Sequence, residues 1–353
     1  MIDFRYHLVS LISVFLALAV GIVLGAGPLK EPIGSSLQSQ VDALRTDRDG
    51  LRADLEHAQN DADQLTAFVE ASAEDLLSEK LSDTAITVVR LPGADGAQAE
   101  AVVDRIGTAG GTVASDAELA EAALAPAGAE LLAQLRELDD SLPQDDAAVL
   151  RTALVHALAP ADPEAGDEAA EEGAEPTADP GEDAGAKTSS VSEETAAGLF
   201  SALTEAGVIA SGDRGSADAV VMIAPVDPAE AAAEDPGADG VPGSEDTAEG
   251  GESAEATETA APEEAAAELT AGADLARDFA GASRTVVAGS RASAVQGLLA
   301  ELRNDGEGLS TVDSLDLAAG AVIVPLALEA AVEGRAGNYG TTQSSDSVLP
   351  EAP

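Results

Sequence analysis

The sequence predicts an α/β protein in three parts: a single N-terminal transmembrane helix, a coiled-coil rod, and a mainly parallel α/β domain with disordered acidic inserts. Three observations lead there. Leu8–Gly27 is a run of 20 residues without a charge. From Leu37 onward apolar residues recur in heptads. Beyond Ser82, short β-branched runs alternate with helical stretches, the pattern of a parallel sheet covered on both faces. The boundaries that follow are 1–30 for the anchor, 31–82 for the rod and 83–340 for the α/β domain, with inserts at 160–190 and 227–266 and a disordered tail at 341–353.

The uncharged run comes first. At about 1.5 Å per residue it makes a helix roughly 30 Å long, the thickness of a bilayer's hydrocarbon core. Leu8, Phe15, Leu18 and Leu24 are its expected lipid anchors. A cleaved signal peptide is the competing reading, but its apolar region usually spans about 7–15 residues and ends in an A-x-A-like site. Val23-Leu24-Gly25-Ala26-Gly27 matches that site poorly, so an uncleaved signal-anchor is expected. Arg5 and Lys30 give no orienting bias. The short leading tail and large following domain favour an N-in, single-pass protein of the cell envelope with its bulk extracytoplasmic.

Pro28 and Pro32 are expected to stop this helix, and Gly34-Ser35-Ser36 to cap the next. One heptad series is Leu37, Leu44, Leu51, Ala58, Leu65, Ser72; the other is Val41, Arg48, Leu55, Ala62, Val69, Leu76. Only Arg48 and Ser72 among these 12 positions are not apolar, and nearly six heptads in phase exceed the three to four that argue a coiled coil. The seam residues are therefore Leu37, Val41, Leu44, Leu51, Leu55, Leu65, Val69 and Leu76. A narrow seam flanked by charges predicts a homodimer or pairing with a helical partner protein. A helix folded back on its own domain is the alternative. At about 1.5 Å per residue, Leu37–Leu81 would be on the order of 65 Å long.

In the α/β domain, strands are expected at Ala85–Leu91, Thr112–Ser115, Ala219–Ile223, Arg284–Ala288 and Leu309–Val312. Helices are expected at Ala97–Ile106, Ala129–Leu138, Ala147–Leu158, Ser192–Ala206, Ala265–Ala280 and Ala292–Leu302. Ala318–Val332 contains Pro325 and reads as one kinked helix or as a strand leading into a helix. Asp162–Lys187 holds ten acids and one Lys, and Asp227–Glu268 fourteen acids and no basic residue. Low hydrophobicity, Gly/Pro content and self-repulsion predict disordered loops there.

Composition narrows the function. With 66 Asp+Glu against 17 Lys+Arg, the net charge is −49, which excludes nucleic acid as a partner because phosphate neutralisation needs clustered cations. The chain has no Cys and three scattered His, so disulfides, thiol nucleophiles and Cys-based metal sites are excluded. Aromatic residues are 2% of the chain and Trp is absent, so the core must be aliphatic. Two strand–helix junctions, Leu91–Gly96 and Ala288–Ser293, could cradle an anion, and Arg291 draws attention to the second as a minor ligand-binding or enzymatic candidate. No nucleophile–base pair stands out; His156 reads as a packing or surface residue and His57 as solvated on the rod. Met1, Met222 and isolated His make a poor donor set for copper(I), which prefers thiolate and thioether.

The opening Ile2-Asp3-Phe4-Arg5-Tyr6-His7, with the apolar span through Gly27-Pro28-Leu29, resembles the start of the actinobacterial MctB-type copper transport protein family. Gly334-Arg335-Ala336-Gly337-Asn338-Tyr339-Gly340 resembles that family's terminal Gly-Tyr-Gly segment. The resemblance covers the chain except the acidic inserts. It implies a non-enzymatic envelope protein in copper homeostasis or efflux, with copper as a transported or sensed ion, the lipid bilayer as a partner and no cofactor. Division-associated relatives imply an alternative, a coiled-coil scaffold that regulates peptidoglycan hydrolysis through a partner protein. No metal ligand carries over.

Overall fold

A computed structural model of the protein describes residues 4–26, 31–159, 191–226, 260–304 and 309–351. The chain divides into two units, Met1–Leu65 and Thr66–Pro353. In the first, α1 (Phe4–Ala26) contains a stretch, Tyr6–Val23, long and apolar enough to cross a membrane. Leu8, Phe15 and Leu18 are exposed on it, and Leu24 lies in its last turn.

Helix α2 spans Glu31–Leu77 without a break. It begins before the expected Gly34-Ser35-Ser36 cap, because Pro32 fits a first helical turn, where its missing N–H has no intrahelical partner to lose. Leu37 lies on this helix. Val41, Leu44, Leu51, Leu55, Leu65 and Leu76 are all exposed, Leu51 at 70%. Val69 differs: it packs against the domain core beside the buried Ala73, Leu77 and Leu81. Positions 69, 73 and 77 share one helix face, so the final turns of α2, themselves part of the second unit, pack an apolar stripe on its core. The Arg105–Glu70 ion pair and Lys80 Nζ, 3.1 Å from Glu329 Oε1, flank that contact.

The second unit is an α/β layer structure. Its strands are β1 (Ala85–Arg90), β2 (Thr112–Leu119), β3 (Ile209–Gly212), β4 (Ala219–Ile223), β5 (Thr285–Ala288), β6 (Ser310–Val312) and β7 (Asn338–Tyr339). They form one seven-stranded sheet in the order β3-β2-β1-β4-β5-β6-β7. All neighbours are parallel except β2 and β3. The helices are α3 (Gly96–Thr108), α4 (Ala129–Leu138), α5 (Asp146–Leu158), α6 (Glu193–Glu205), α7 (Ala260–Ala282), α8 (Arg291–Gln296), α9 (Leu298–Asn304) and α10 (Ala318–Val332). Helices α3, α10 and the end of α2 cover one face, while α4 to α9 supply the other. Alternation along the central strands serves both layers: Val89, Val220, Met222 and Val287 enter one cluster, Val88, Val221, Ile223 and Val286 the other.

Several details depart from the sequence expectation. The second strand runs to Leu119 rather than Ser115, because Asp116 is held by Arg90 of the neighbouring strand, Nη2 to Oδ2 at 2.8 Å. The expected helix 292–302 is two helices broken at Gly297, whose backbone is extended and whose Cβ, if present, would stand 2.8 Å from Ser293 Cα. Residues 318–332 form a single helix with Pro325 inside it, nine of its 15 residues buried. The short edge strands β3 and β7 were not expected. Residues 341–351, expected as a disordered tail, are held to the sheet by hydrogen bonds from Thr341, Thr342 and Ser345 to Asp313. The insert 160–190 lies outside the described residues, as does 227–259 of the second; the remainder of that insert, 260–266, belongs to α7.

Leu77→Ala is expected to lower the stability of the α/β domain by about 2–4 kcal/mol, the cost of a cavity where a Leu is fully buried. Leu51→Ala should change the unfolding free energy measured by urea denaturation by less than about 0.5 kcal/mol, since Leu51 is exposed.

Candidate functional site

The carboxyl ends of the parallel strands gather two features, a cleft and a polar cluster. The cleft opens where the chain order reverses, since β1 is followed in space by β2 on one side and β4 on the other. Ligands of open α/β sheets bind at such a point because the two crossover helices leave in opposite directions and part there. The turns after β1 and β4 are tied by Val226 N donating to Gly93 O at 3.0 Å. Gly93 has φ +79 and its Cβ position stands 3.5 Å from Pro225 Cβ, so the turn closes tightly. Leu91, Pro92, Leu124, Pro225, Val226 and Leu269 make the cleft mostly apolar, and Glu121, Glu268 and Gln296 add exposed polar groups. Its volume is about 560 Å³, within the roughly 300–1,000 Å³ of small-molecule sites.

Both junctions expected to cradle an anion lie on this carboxyl edge, and the chain's own carboxylates occupy both. Asp95 caps α3, accepting from Gln98 N at 2.7 Å. Asp316 accepts from Arg291 N at 3.0 Å and from Arg291 Nε at 2.6 Å. A backbone donor at each junction, and the Arg291 Nε, are thus already paired with carboxylates. Arg291, singled out from the sequence, is committed to this ion pair.

The polar cluster centres on Asp313, at the end of β6 and fully buried. Oδ2 accepts from Arg303 Nη1 at 3.1 Å, Thr342 Oγ1 at 2.6 Å and Ser345 Oγ at 2.6 Å. Oδ1 accepts from Thr341 N at 2.8 Å and from Ser314 Oγ. Arg303, also buried, donates to Thr311 Oγ1 at 2.8 Å, Ser344 Oγ at 2.8 Å and Tyr339 O at 3.2 Å. Gly340 has φ +134, and a Cβ there would strike the Asp313 carboxylate. Burial by itself would raise the Asp313 pKa, but hydrogen bonds from Ser314, Ser345, Thr342 and the Thr341 N–H outweigh it and bring it to about 2. The arrangement is a lock for the C-terminal segment, not a reactive centre, because both carboxylate oxygens are saturated with donors. The Gly337-Asn338-Tyr339-Gly340 segment flagged from sequence is the strand end this lock holds. Asp313 itself was missed; an acid directly after an apolar strand, with a Thr/Ser-rich run downstream, was the available signal.

The His residues do not converge. His57 and His7 are exposed on helices α2 and α1. His156 Nδ1 lies 2.6 Å from Asp139 Oδ2, and Ser141 Oγ donates to Asp139 Oδ1 at 2.6 Å. Burial pushes the Asp139 pKa up, and hydrogen bonds from Ser141 and His156 more than reverse this, leaving it lowered. The serine bonds to the acid and not to the imidazole, so the trio lacks the nucleophile–base contact of acyl transfer and instead ties the end of α4 to α5. Met222 is fully buried in β4. Among the described residues, no group of three or more His, Cys, Asp or Glu could hold a metal ion, so these residues by themselves do not fit a resident copper centre.

A doubly wound α/β domain preceded by a long helix and an apolar helix defines the class: an α/β protein with one candidate membrane-spanning segment among the described residues. A family model described as copper transport outer membrane protein, MctB, matches residues 1–350, and the chain belongs to that family. It is similar to the copper transporter MctB of Mycobacterium tuberculosis and to that of Mycobacterium bovis, each 35% identical over 128 residues, 34% of this chain and 38% of the relative. The copper transporter MctB of Mycobacterium leprae is 32% identical over 121 residues, again 34% of this chain and 38% of the relative. The matched stretch thus spans well under half the length of these relatives.

Asp313→Asn is expected to destabilise the domain by about 3 kcal/mol at pH 7, since Arg303 is left buried without its countercharge. The folded-state pKa of about 2 lies below the ordinary carboxylate value of 3.8, so its stabilisation is present above about pH 4 and is lost as pH falls toward 2. Urea titrations of both proteins should therefore converge by on the order of 2 kcal/mol between pH 5 and pH 2.

Proposed function

We propose that this chain is a single-pass, membrane-anchored cell-envelope protein that takes part in copper homeostasis or efflux without catalysing a reaction. The family match over residues 1–350 carries this reading, and the relatives named as copper transporters support it. The helix Tyr6–Val23 supplies the anchor. An N-in orientation with the α/β domain extracytoplasmic is part of this proposal.

Conduction by this domain is disfavoured on physical grounds. A transmembrane barrel needs closed strands alternating lipid-facing and lumen-facing side chains, whereas this sheet is open and helices bury both its faces. The one candidate spanning helix among the described residues forms no pore alone. Copper is best regarded as cargo or signal that the protein meets in an assembly, because the described residues offer no donor cluster for it. A non-catalytic role agrees with the Asp139–His156 contact being a helix tie.

The exposed stripe of Val41, Leu44, Leu51, Leu55 and Leu65 supports a coiled coil as the means of assembly. A second copy of the chain is the first candidate partner and the helix of another protein the second. The printed names of the relatives refer to copper and lend no support to a division scaffold.

Deleting the protein should raise cell-associated copper, measured by mass spectrometry, and lower copper tolerance; a mutant unchanged in both would overturn the copper role. Single cysteines placed at Leu44 and Leu51, in a chain with none of its own, should form interchain disulfides rapidly in membranes. Exclusive crosslinking to a different protein would replace the homodimer with a heteromeric pairing.

A further inference from the structure

We propose that the cleft between the ends of β1 and β4 binds a small apolar amine, a binding activity separate from any part the protein plays with copper. The position, at the reversal of strand order, and the volume of about 560 Å³ suit a small molecule. The usual occupant of such a crevice is a nucleotide, held by helix N-termini and a glycine-rich turn. Here the chain's own carboxylates oppose that chemistry in the flanking turns. Asp95 takes the amide at the start of α3, and Asp316 takes both the backbone N–H and the Nε of Arg291. Among the described residues, no Lys or Arg lines the cleft.

What the lining offers instead is an apolar body with acidic groups on it. Pro92, Leu124, Pro225 and Leu269 form apolar wall, and Glu121 and Glu268 bring exposed carboxylates from two different elements, the turn after β2 and helix α7. An anion placed there would meet two like charges and no counterion. An ammonium group would gain charge-assisted hydrogen bonds while its hydrocarbon part leaves water. The chain's net charge of −49 raises the local concentration of cations around every such opening. A copper ion is a poorer fit, since the acidic groups are all oxygen donors without imidazole or sulfur.

The test uses the full chain in lipid nanodiscs, with empty discs subtracted, titrated by ligand-observed NMR with 2-phenylethylamine, 2-phenylethanol, phenylacetate and ATP. The amine should saturate and bind roughly tenfold tighter than the alcohol, as expected for one charge-assisted contact, while phenylacetate and ATP show no saturable binding. Glu121→Gln with Glu268→Gln should bring the amine down to the level of the alcohol and leave the alcohol unchanged. Gly272→Leu should abolish both, because Gly272 lines the cleft and its Cβ position has room, 3.6 Å from Leu298 Cδ1. Absence of saturable amine binding, equal binding of phenylacetate or ATP, or unaltered amine affinity in the double glutamine variant would each overturn the proposal. Thermal melting matched to the parent certifies the folded state of each variant. Should Gly272→Leu melt early, the double glutamine variant decides alone.

Discussion

Both faces of a seven-stranded, almost wholly parallel sheet must be taken out of water, and the chain has few large side chains with which to do it. Aromatic residues are 2% of the sequence, and Phe279 is the one Phe among the largest fully buried side chains. Val, Leu and Ala each remove modest area, at about 25 cal/mol per Å², so coverage has to be continuous. That requirement recruits more of the chain than the regular βαβ helices. The last turns of α2 contribute Val69, Ala73 and Leu77, and the near-uniformly apolar α10 lies buried along the same face. The C-terminal residues close the far edge through β7.

This explains the different fates of two stretches that look alike by composition. Tyr6–Val23 and Ala318–Val332 are both apolar helices. The first is too long and too uniformly exposed to belong to the domain; the second is a 15-residue core helix that a sheet face needs. It also accounts for the Asp313 lock. An edge strand of two residues has few ladder bonds of its own, and a buried carboxylate collecting five donors from the turn after β6, α9 and the chain after β7 makes up for them. The cost of burying the charge is offset because every lone-pair direction is used.

Acidic residues play three distinct parts. Those at helix starts and beside Arg, such as Asp95, Asp116 and Asp316, organise turns and strand ends. Asp313 and Asp139 are buried and hold elements together. Glu121 and Glu268 stand exposed over an apolar cleft. The contrast matters for ligand chemistry, because a carboxylate already saturated by donors cannot attract a cation, whereas a free one can.

Periodicity was enough to read the long features. An uncharged run of 20 residues and a stripe repeating every seven are properties of consecutive residues, and so are the Val-rich strands at Ala85 and Ala219 and the helices between them. The parallel character of the sheet followed from strand–helix alternation alone. Tertiary structure decided the rest. The edge strands β3 and β7 are too short to carry a pattern and exist because a neighbour offers hydrogen bonds. Asp116 continues a strand because Arg90 neutralises it, and Arg291 serves a turn because Asp316 reaches it from 25 residues away. The cleft and the lock are assembled from segments far apart in sequence, and local pattern reports only on neighbours within a turn or a pleat. Contacts whose energy comes from pairing distant groups become visible only once the fold has brought those groups within reach.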